Sequence, residues 1–505
     1  MVAITGLPST GFRVGLRGLR DACTSSVSEP DRAAGTPGAR RVLGSGGTTM
    51  DRDRRAKQVI QADSNGRGTS LRERFGGALA RTTRSLRWRG FRIYFTGQGI
   101  SLIGTWMQRM AMAWLIYRLS GSAFMLGLVG FAGRIPTLLL APFAGVAADR
   151  WDRRRILYVT QSLSMVQALL LAGLVLGGLV QVWHVLVLAT ILGVFDAFDI
   201  PARQSFYVQL IDDPEDLGNA IALNSTVFNM ARLVGPSVAG VLIALIGEGW
   251  VFALNGLTYL SMLAALLLMG RLPRRQAAST PGVLRNVREG FDFAWNFPAV
   301  RAVLLLITTS SFFAVPFVVL MPIFAIDVLG GAADTLGFLM AAQGIGALAG
   351  ALFLAGRSTT EGLGRLIARA AALFGGGLLV FGASNTIWLS LPMLAVAGFG
   401  LMVQSAASNT FLQVSVGDGM RGRIMSLYTM AFIGTLPLGS LYAGWMAEHI
   451  GAPATVMVGG VVALVAAAVF RRRLPALRRD AAARRNARAR RAEVPGEGVP
   501  SGAAG

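Results

Sequence analysis

Lysine, cysteine and histidine are almost missing from this sequence. The only lysine is Lys57, within Arg54-Arg55-Ala56-Lys57-Gln58-Val59. A phosphate-cradling loop requires G-x-x-x-x-G-K-[ST], so the chain does not hydrolyse ATP by that route. The only cysteine, Cys23, rules out an intramolecular disulfide and any cysteine-based metal cluster. His184 and His449 are the only histidines and stand far apart, so no H-E-x-x-H zinc pair exists; neither a metal nor another cofactor is expected. The stretch Gly235-Pro236-Ser237-Val238-Ala239-Gly240 is one residue too long for a G-x-S-x-G elbow and has no histidine nearby. An enzyme is therefore not expected. The N-terminus also lacks the uninterrupted apolar run of a secretory signal.

What is abundant is apolar. With 53% hydrophobic residues, only 15% charged residues and a mean hydropathy of +0.54, the 505-residue chain is too apolar for a soluble pair of domains and reads as an all-α polytopic membrane protein. A formal charge of +22 raises nucleic acid as a partner, and its location dismisses that partner. Residues 1–90 carry a net +10 and residues 471–505 a net +7, so the tails hold 17 of the 22 charges. Basic tails beside a bilayer enforce topology or touch anionic lipid rather than read bases. The N-terminal tail, rich in Gly, Arg, Ser and Thr, is expected to be disordered. Two explanations of it stay open: a floppy extension, or a start at Met50.

A helix needs about 20 apolar residues to cross the hydrocarbon. Twelve stretches qualify, near 94–117, 124–148, 156–180, 184–204, 220–246, 250–270, 302–326, 335–356, 363–384, 387–409, 422–447 and 453–470. Connections on one side carry Arg150, Arg153, Arg154, Arg155, Arg203, Arg271, Arg274, Arg275, Arg285, Arg288, Arg357, Arg365, Arg421 and Arg423. Those on the other hold Arg118 beside Glu248, Asp327, Asp334 and Glu448. Arginine accumulates on the cytoplasmic side, so both termini are expected there. The implied order is a disordered basic tail (1–90), a six-helix bundle (91–270), a cytoplasmic linker (271–301), a second bundle (302–470) and a disordered basic tail (471–505). Within the linker, Val283 to Ala294 has the spacing of a short amphipathic helix. The acidic run Asp212-Asp213-Pro214-Glu215-Asp216 precedes the fifth span and is expected to cap it.

The two halves echo each other. Leu223, Phe228, Gly235, Ala239 and Gly240 return 204 positions later as Leu427, Phe432, Gly439, Ala443 and Gly444. Gly121, Ala123, Leu126, Gly127, Ala132 and Ile135 return 210 positions later as Gly331, Ala333, Leu336, Gly337, Ala342 and Ile345. Two pseudo-symmetric six-helix bundles, twelve transmembrane helices in all, are the architecture of transporters that rock about a site at mid-membrane.

At the end of the second span stands Gly145-Val146-Ala147-Ala148-Asp149-Arg150-Trp151-Asp152-Arg153-Arg154-Arg155-Ile156-Leu157. It resembles the loop-2/3 motif of the major facilitator superfamily, G-x-L-a-D-r-x-G-r-k-x-x-l, with Asp152 where that motif has its second glycine. The resemblance implies that Asp149 latches the halves together, that Gly145 permits close packing, and that Arg150, Arg153 and Arg154 contact loop and lipid. Gly235, Pro236 and Gly240 resemble the G-P-x-x-G-G motif of antiporter branches, Ala239 replacing one glycine. The wider pattern, from Gly104-Thr105-Trp106 through Pro201-Ala202-Arg203-Gln204 to Leu217-Gly218-Asn219-Ala220, is similar to the exporter branch that includes bacterial siderophore (enterobactin-type) and macrolide efflux proteins. That branch implies a monomer in the bacterial plasma membrane, exporting a hydrophobic or amphipathic drug or siderophore, with protons as the exchanged partner. An uptake permease or lipid transporter of the same fold is the alternative, and a non-transporting receptor or structural protein the distant one. The family's fourth-span arginine motif is absent here.

Five charged residues lie inside apolar spans: Arg109, Arg134, Asp196, Asp199 and Arg232. Such groups face a cavity or pair with one another, and they mark a pathway. Asp196, tuned by Arg109 or Arg232, is the candidate for taking and releasing a proton, and a permanent salt bridge is the equal alternative. In the second half Gln343, Gln404, Asn409 and Gln413 are the polar marks. There Phe312, Phe313, Phe317, Phe324, Met340, Met402 and Phe411 are candidates for an apolar cavity wall.

Overall fold

A backbone without water must satisfy its polar groups internally, and a long apolar run does so as a helix. The computed structural model describes residues 84–269, 283–357 and 359–493, and among these it contains helix and no strand. The greater part of the first expected tail, linker residues 270–282 and the chain from 494 lie outside the described residues. The helices are α1 (Arg89–Ser120), α2 (Ala123–Arg150), α3 (Arg153–Leu176), α4 (Val182–Gln209), α5 (Pro214–Ile246), α6 (Glu248–Leu268), α7 (Val283–Asn296), α8 (Pro298–Val328), α9 (Ala333–Ala355), α10 (Leu363–Gly382), α11 (Ile387–Ser415), α12 (Gly419–Ile450) and α13 (Ala452–Glu493). Eleven of them, α2 to α6 and α8 to α13, are long and apolar enough to cross a membrane. At 32 residues α1 has the length, and its greater polarity has a cause: Gln98 and Gln108 are buried against neighbouring helices. Large apolar side chains cover the outside, Trp388 being 85% exposed, as a lipid-facing surface requires.

Two boundaries differ from expectation. Residues 84–90, counted by composition with the tail, are ordered. Ser85 Oγ donates to the Asp216 carbonyl at 2.9 Å, Trp88 Nε1 donates to Asp216 Oδ2 at 2.9 Å, and Arg84 and Arg87 pair with the same buried carboxylate at 2.6 and 2.7 Å. The acidic run does cap α5, since Asp213 accepts from Glu215 N at 2.9 Å, and it also anchors the chain entering α1. At the other end, residues 471–493 continue α13 as helix because alanine and arginine, which dominate there, are strong helix formers. The expected amphipathic helix of the linker is α7, and Glu289 fastens it to Arg423 of α12 at 2.6 Å.

Several helices are interrupted. α2 breaks at Gly133-Arg134 between pieces Ala123–Ala132 and Ile135–Arg150. Wide five-residue turns occupy Ser310–Ala314 in α8 and Met430–Gly434 in α12, just before Pro316 and Pro437. Each proline removes the amide that would bond four residues back, so the ladder opens there.

The echoed glycines meet in space. α2 packs on α12, and α5 packs on α9, forming two seams between the halves. A Cβ on Gly444 would lie 2.7 Å from both the Ala123 carbonyl oxygen and the Gly127 Cα; one on Gly240 would lie 2.7 Å from the equivalent atoms of Ala333 and Gly337. Both seams are thus backbone against backbone, the small-residue packing that membranes favour. Beyond Leu138, which touches Gly434, α2 leaves the seam, and Phe143, Asp149, Arg150 and Trp151 are exposed. At the opposite end the halves are tied, Tyr117 donating to Asp327, and Ser122 Oγ and Phe124 N donating to Glu448 at 3.0 and 2.9 Å. The molecule is therefore closed at the end away from the tails and open toward them.

Because the atoms facing Gly240 and Gly444 are backbone, they cannot give way. Gly240→Ala and Gly444→Ala should each lose about 1–3 kcal/mol of stability, the usual cost of overpacking. Thermal unfolding in detergent checks this, with Gly145→Ala, whose Cβ would meet nothing within 4 Å, showing no loss.

Candidate functional site

Helix rise fixes depth. At 1.5 Å per residue, Arg109 and Arg134 lie roughly 16 Å below the ends of α1 and α2 at Ser120 and Ala123, and Asp196 and Arg232 lie roughly 20 Å inside α4 and α5. All four are therefore near mid-depth, on four helices of the first half. Arg109 Nη2 meets Asp196 Oδ2 at 2.7 Å, with side chains 36% and 21% exposed, so this ion pair is only partly buried. The sequence left Arg109 and Arg232 as alternative partners for Asp196, and it is Arg109 that pairs. Arg232 instead lies over the Trp106 ring, 5.8 Å from its centroid, and Arg109 lies over the same ring at 5.1 Å. Arg134 stands at the break in α2, exposed, its Nη1 3.4 Å from the Gly130 carbonyl oxygen.

Asp199 behaves differently. It is buried, accepts from Thr160 Oγ1 at 3.0 Å and Gln161 Nε2 at 2.7 Å, and is ion-paired with Arg203 one turn along α4. Arg203 is therefore no marker of a cytoplasmic loop: it lies within α4 and neutralises Asp199. Ser101 donates to Gln161 at 3.3 Å. A second buried network joins Gln108 to Gln167 at 2.8 Å and Asn255 to Gln108 at 2.5 Å. These pairs hold α1, α3, α4 and α6 together behind the exposed ion pair. The sequence reading does not single out the first-half glutamines, although four of them inside apolar runs (98, 108, 161, 167) are a legible signal; the Asp199–Arg203 spacing of four is another.

The second half offers fewer polar groups. Gln404 donates to Ser310 Oγ at 2.9 Å, at the wide turn of α8, and Gln413 donates to Asn409 at 2.6 Å. Gln343 is buried in α9. Phe317 and Phe324 do not line a cavity, being packed inside against Phe374 and Phe381. Phe312, Phe313 and Tyr442 form a partly exposed aromatic trio with ring centroids 4.8–5.3 Å apart.

The loop-2/3 motif lies at the open end. Gly145 meets no neighbour within 4 Å of a built Cβ, so it makes no close packing in this conformation, the halves having parted there. Asp149 and Arg150 are exposed. Arg153 Nε donates to the Ala148 carbonyl at 3.1 Å and Arg154 donates to the Leu266 carbonyl, which fastens the loop to its own half. Asp152 takes the place of a glycine without strain because it is the N-cap of α3, with φ −66° and its Oδ1 accepting from Arg154 N at 2.9 Å. In the span-five motif, Gly235 abuts Trp106 and Ile103 of α1, and Gly240 abuts α9 across the seam. Pro236 is buried. His184 caps α4 by accepting from Gln181 N at 3.0 Å, and His449 sits near the end of α12.

Two aspartates three residues apart thus have opposite surroundings. Asp199→Asn leaves the Arg203 charge buried without its partner and should cost about 3–5 kcal/mol, seen as lost expression or a lower unfolding midpoint. Asp196→Asn, at a solvent-reachable pair, should fold as the wild type does.

Comparison with known proteins agrees with this geometry. The model of a major facilitator family described as transmembrane secretion effector matches residues 81–495. The Staphyloferrin A transporter of Staphylococcus aureus is 25% identical over 384 residues, covering 75% of this chain and 94% of that one. The multidrug efflux pump Tap of Mycolicibacterium fortuitum is 28% identical over 372 residues (72% and 88%), and macrolide efflux protein A of Streptococcus pyogenes 22% over 383 (75% and 94%). Among solved structures, a D-xylose–proton symporter superposes with a TM-score of 0.59 at 14% identity, covering 75% of this chain and 97% of that one. A bacterial homologue of the lysosomal transporter Spinster, in an inward-facing conformation, gives 0.57 at 17% identity (76% and 95%). The chain belongs to the transmembrane secretion effector family of the major facilitator superfamily.

Proposed function

We propose that this chain is a secondary active exporter of amphipathic small molecules in a bacterial plasma membrane, both tails cytoplasmic, with proton binding at Asp196 coupled to the movement. The observation that carries the proposal is the pair of equivalent seams, Gly127 on Gly444 and Gly337 on Gly240, beside a charged cluster at mid-depth. A seam of small residues lets one half tilt on the other without unpacking side chains. Opening toward the tails then alternates with opening at the Tyr117, Asp327 and Glu448 end. Orientation follows from the arginine-rich connections at the tail end. The names of the relatives, a siderophore transporter and two efflux proteins, support export of small molecules.

Asp196 suits the coupling role because it is a half-buried carboxylate near mid-depth whose ion-pair partner, Arg109, is itself partly exposed. Asp149, exposed here, would engage when the tail end closes, placing a carboxylate near the ends of neighbouring helices.

Cells producing the chain should accumulate less of a drug or siderophore panel than control cells, and a protonophore should abolish the difference. Asp196→Asn should reduce gradient-driven export at least about tenfold, which is a loss of about 1.4 kcal/mol in driving interaction; full activity in proteoliposomes would remove Asp196 from the coupling.

A further inference from the structure

The mid-depth cluster is not neutral. Three arginines, Arg109, Arg134 and Arg232, share one carboxylate, Asp196, since Asp199 is neutralised by Arg203 behind them. Arg232 has the Trp106 ring as its contact, and Arg134 has the Gly130 carbonyl at 3.4 Å. Neither makes an ion pair with a carboxylate among the described residues. Arg134 is also within electrostatic reach of Arg109, Arg232 and Asp196, so the charges act together. Positive charge at this depth is costly unless a counter-charge or water meets it, and here Arg134 is exposed while Arg109 and Arg232 are half-buried.

The backbone adds to it. α2 is broken at Gly133-Arg134, so the piece Ile135–Arg150 begins at mid-depth beside the three guanidiniums, and the positive end of its dipole points the same way. Trp106, gripped by Arg109 and Arg232, offers an aromatic surface between the cations. Across the gap, the second half brings no arginine or lysine to mid-depth in α8, α9, α11 or α12; its marks there are Gln404, Gln343 and the Phe312, Phe313, Tyr442 trio.

We infer that this chain takes amphipathic anions: Arg134 and Arg232, with Arg109 shared between Asp196 and the ligand, form the site for a carboxylate or other oxyanion whose apolar body lies toward the aromatic residues. This inference rests on the transport reading for its biological meaning and names the substrate class of the same site. Arginine fits the role because its planar fork pairs with an oxyanion through two hydrogen bonds and stacks on an indole. Asp196 is then a competitor as well as a partner, because an anion that draws Arg109 to itself must take it from Asp196.

The test is binding of three matched probes to the purified full chain in detergent: 1-naphthylacetate, its neutral methyl ester, and the cationic 1-naphthylethylamine. The anion should bind at least about tenfold more tightly than the ester or the amine, a difference of one decade in Kd. Arg134→Gln and Arg232→Gln should each abolish that preference, Arg134→Lys and Arg232→Lys should retain part of it, and Asp196→Asn should strengthen it. Gel filtration and thermal midpoints identify variants that fold, and the lysine variants carry the test if a glutamine variant does not. Equal affinity for the three probes, a preference for the amine, or an anion preference untouched by both glutamine variants overturns the site. Because binding in detergent needs no gradient, anion preference without export would fail the transport reading alone, and export of cations without anion preference would fail this inference alone.

Discussion

Everything in this molecule hangs on backbone touching backbone along two seams. A Cβ at Gly240 or Gly444 would fall 2.7 Å from a carbonyl oxygen and from a Cα of the facing helix. No side chain stands between the halves there, so nothing has to change rotamer for one half to roll against the other. Lipid supplies no hydrophobic force to drive helices together, and close approach of small residues replaces it with dispersion and weak polar contacts. The same glycines that hold the halves allow them to move. The α2–α12 seam ends near Leu138, and beyond it Phe143, Asp149, Arg150 and Trp151 of the α2 end are exposed.

Polar residues are distributed to match that motion. Groups that must stay put are buried and satisfied within the first half: Asp199 between Thr160, Gln161 and Arg203, and Gln108 between Gln167 and Asn255. The other charged groups are less buried: Asp196, Arg109 and Arg232 are half-buried and Arg134 is exposed. Breaking a buried pair leaves an uncompensated charge, whereas an exposed pair loses little and regains water. Burial therefore separates a satisfied framework from a partly exposed set among residues that the sequence presents as one group. Between those two layers sits Trp106, which packs on Gly235 with its stem and carries two guanidiniums on its ring.

The fold was legible because its cause is local: apolar runs of sufficient length have one solution in lipid. The duplication was legible too, but it states equivalence and not contact. Gly127 corresponds to Gly337, yet it touches Gly444, and only the packing of α2 on α12 reveals that. In the site, sequence supplied Arg109, Arg134, Asp196 and Arg232 and could not choose the partner of Asp196, since that depends on which faces of α1, α4 and α5 converge. Span length alone places Arg203 in a loop, because a span of ordinary length ends near it. α4 instead runs on to Gln209, and the carboxylate that holds Arg203 lies one turn back. The residue Asp152 shows the reverse case, a departure from a motif made harmless by the capping that aspartate itself provides.

If Asp196 carries the proton as proposed, the charge of the cargo and the sign of its coupling to protons are one question at this site. A proton on Asp196 frees Arg109, and an anion that engages Arg109 deprives Asp196 of its counter-ion, so by reciprocity proton and anion favour each other. A neutral or cationic cargo has no such effect and can exclude the proton instead, as simple exchange demands. For an anion, the loaded site crosses more readily with its proton than without it, and the pair carries no net charge for a monovalent cargo. The membrane potential then contributes nothing to that step, while an unprotonated anion leaving an interior-negative cell gains about 2.3 kcal/mol per 100 mV. On that proposal, the charge of the cargo sets which of the two steps the membrane potential drives. The arrangement seen has one arginine bound to the aspartate at 2.7 Å and two without a carboxylate, so Arg109 is the one group on which proton and anion would both act.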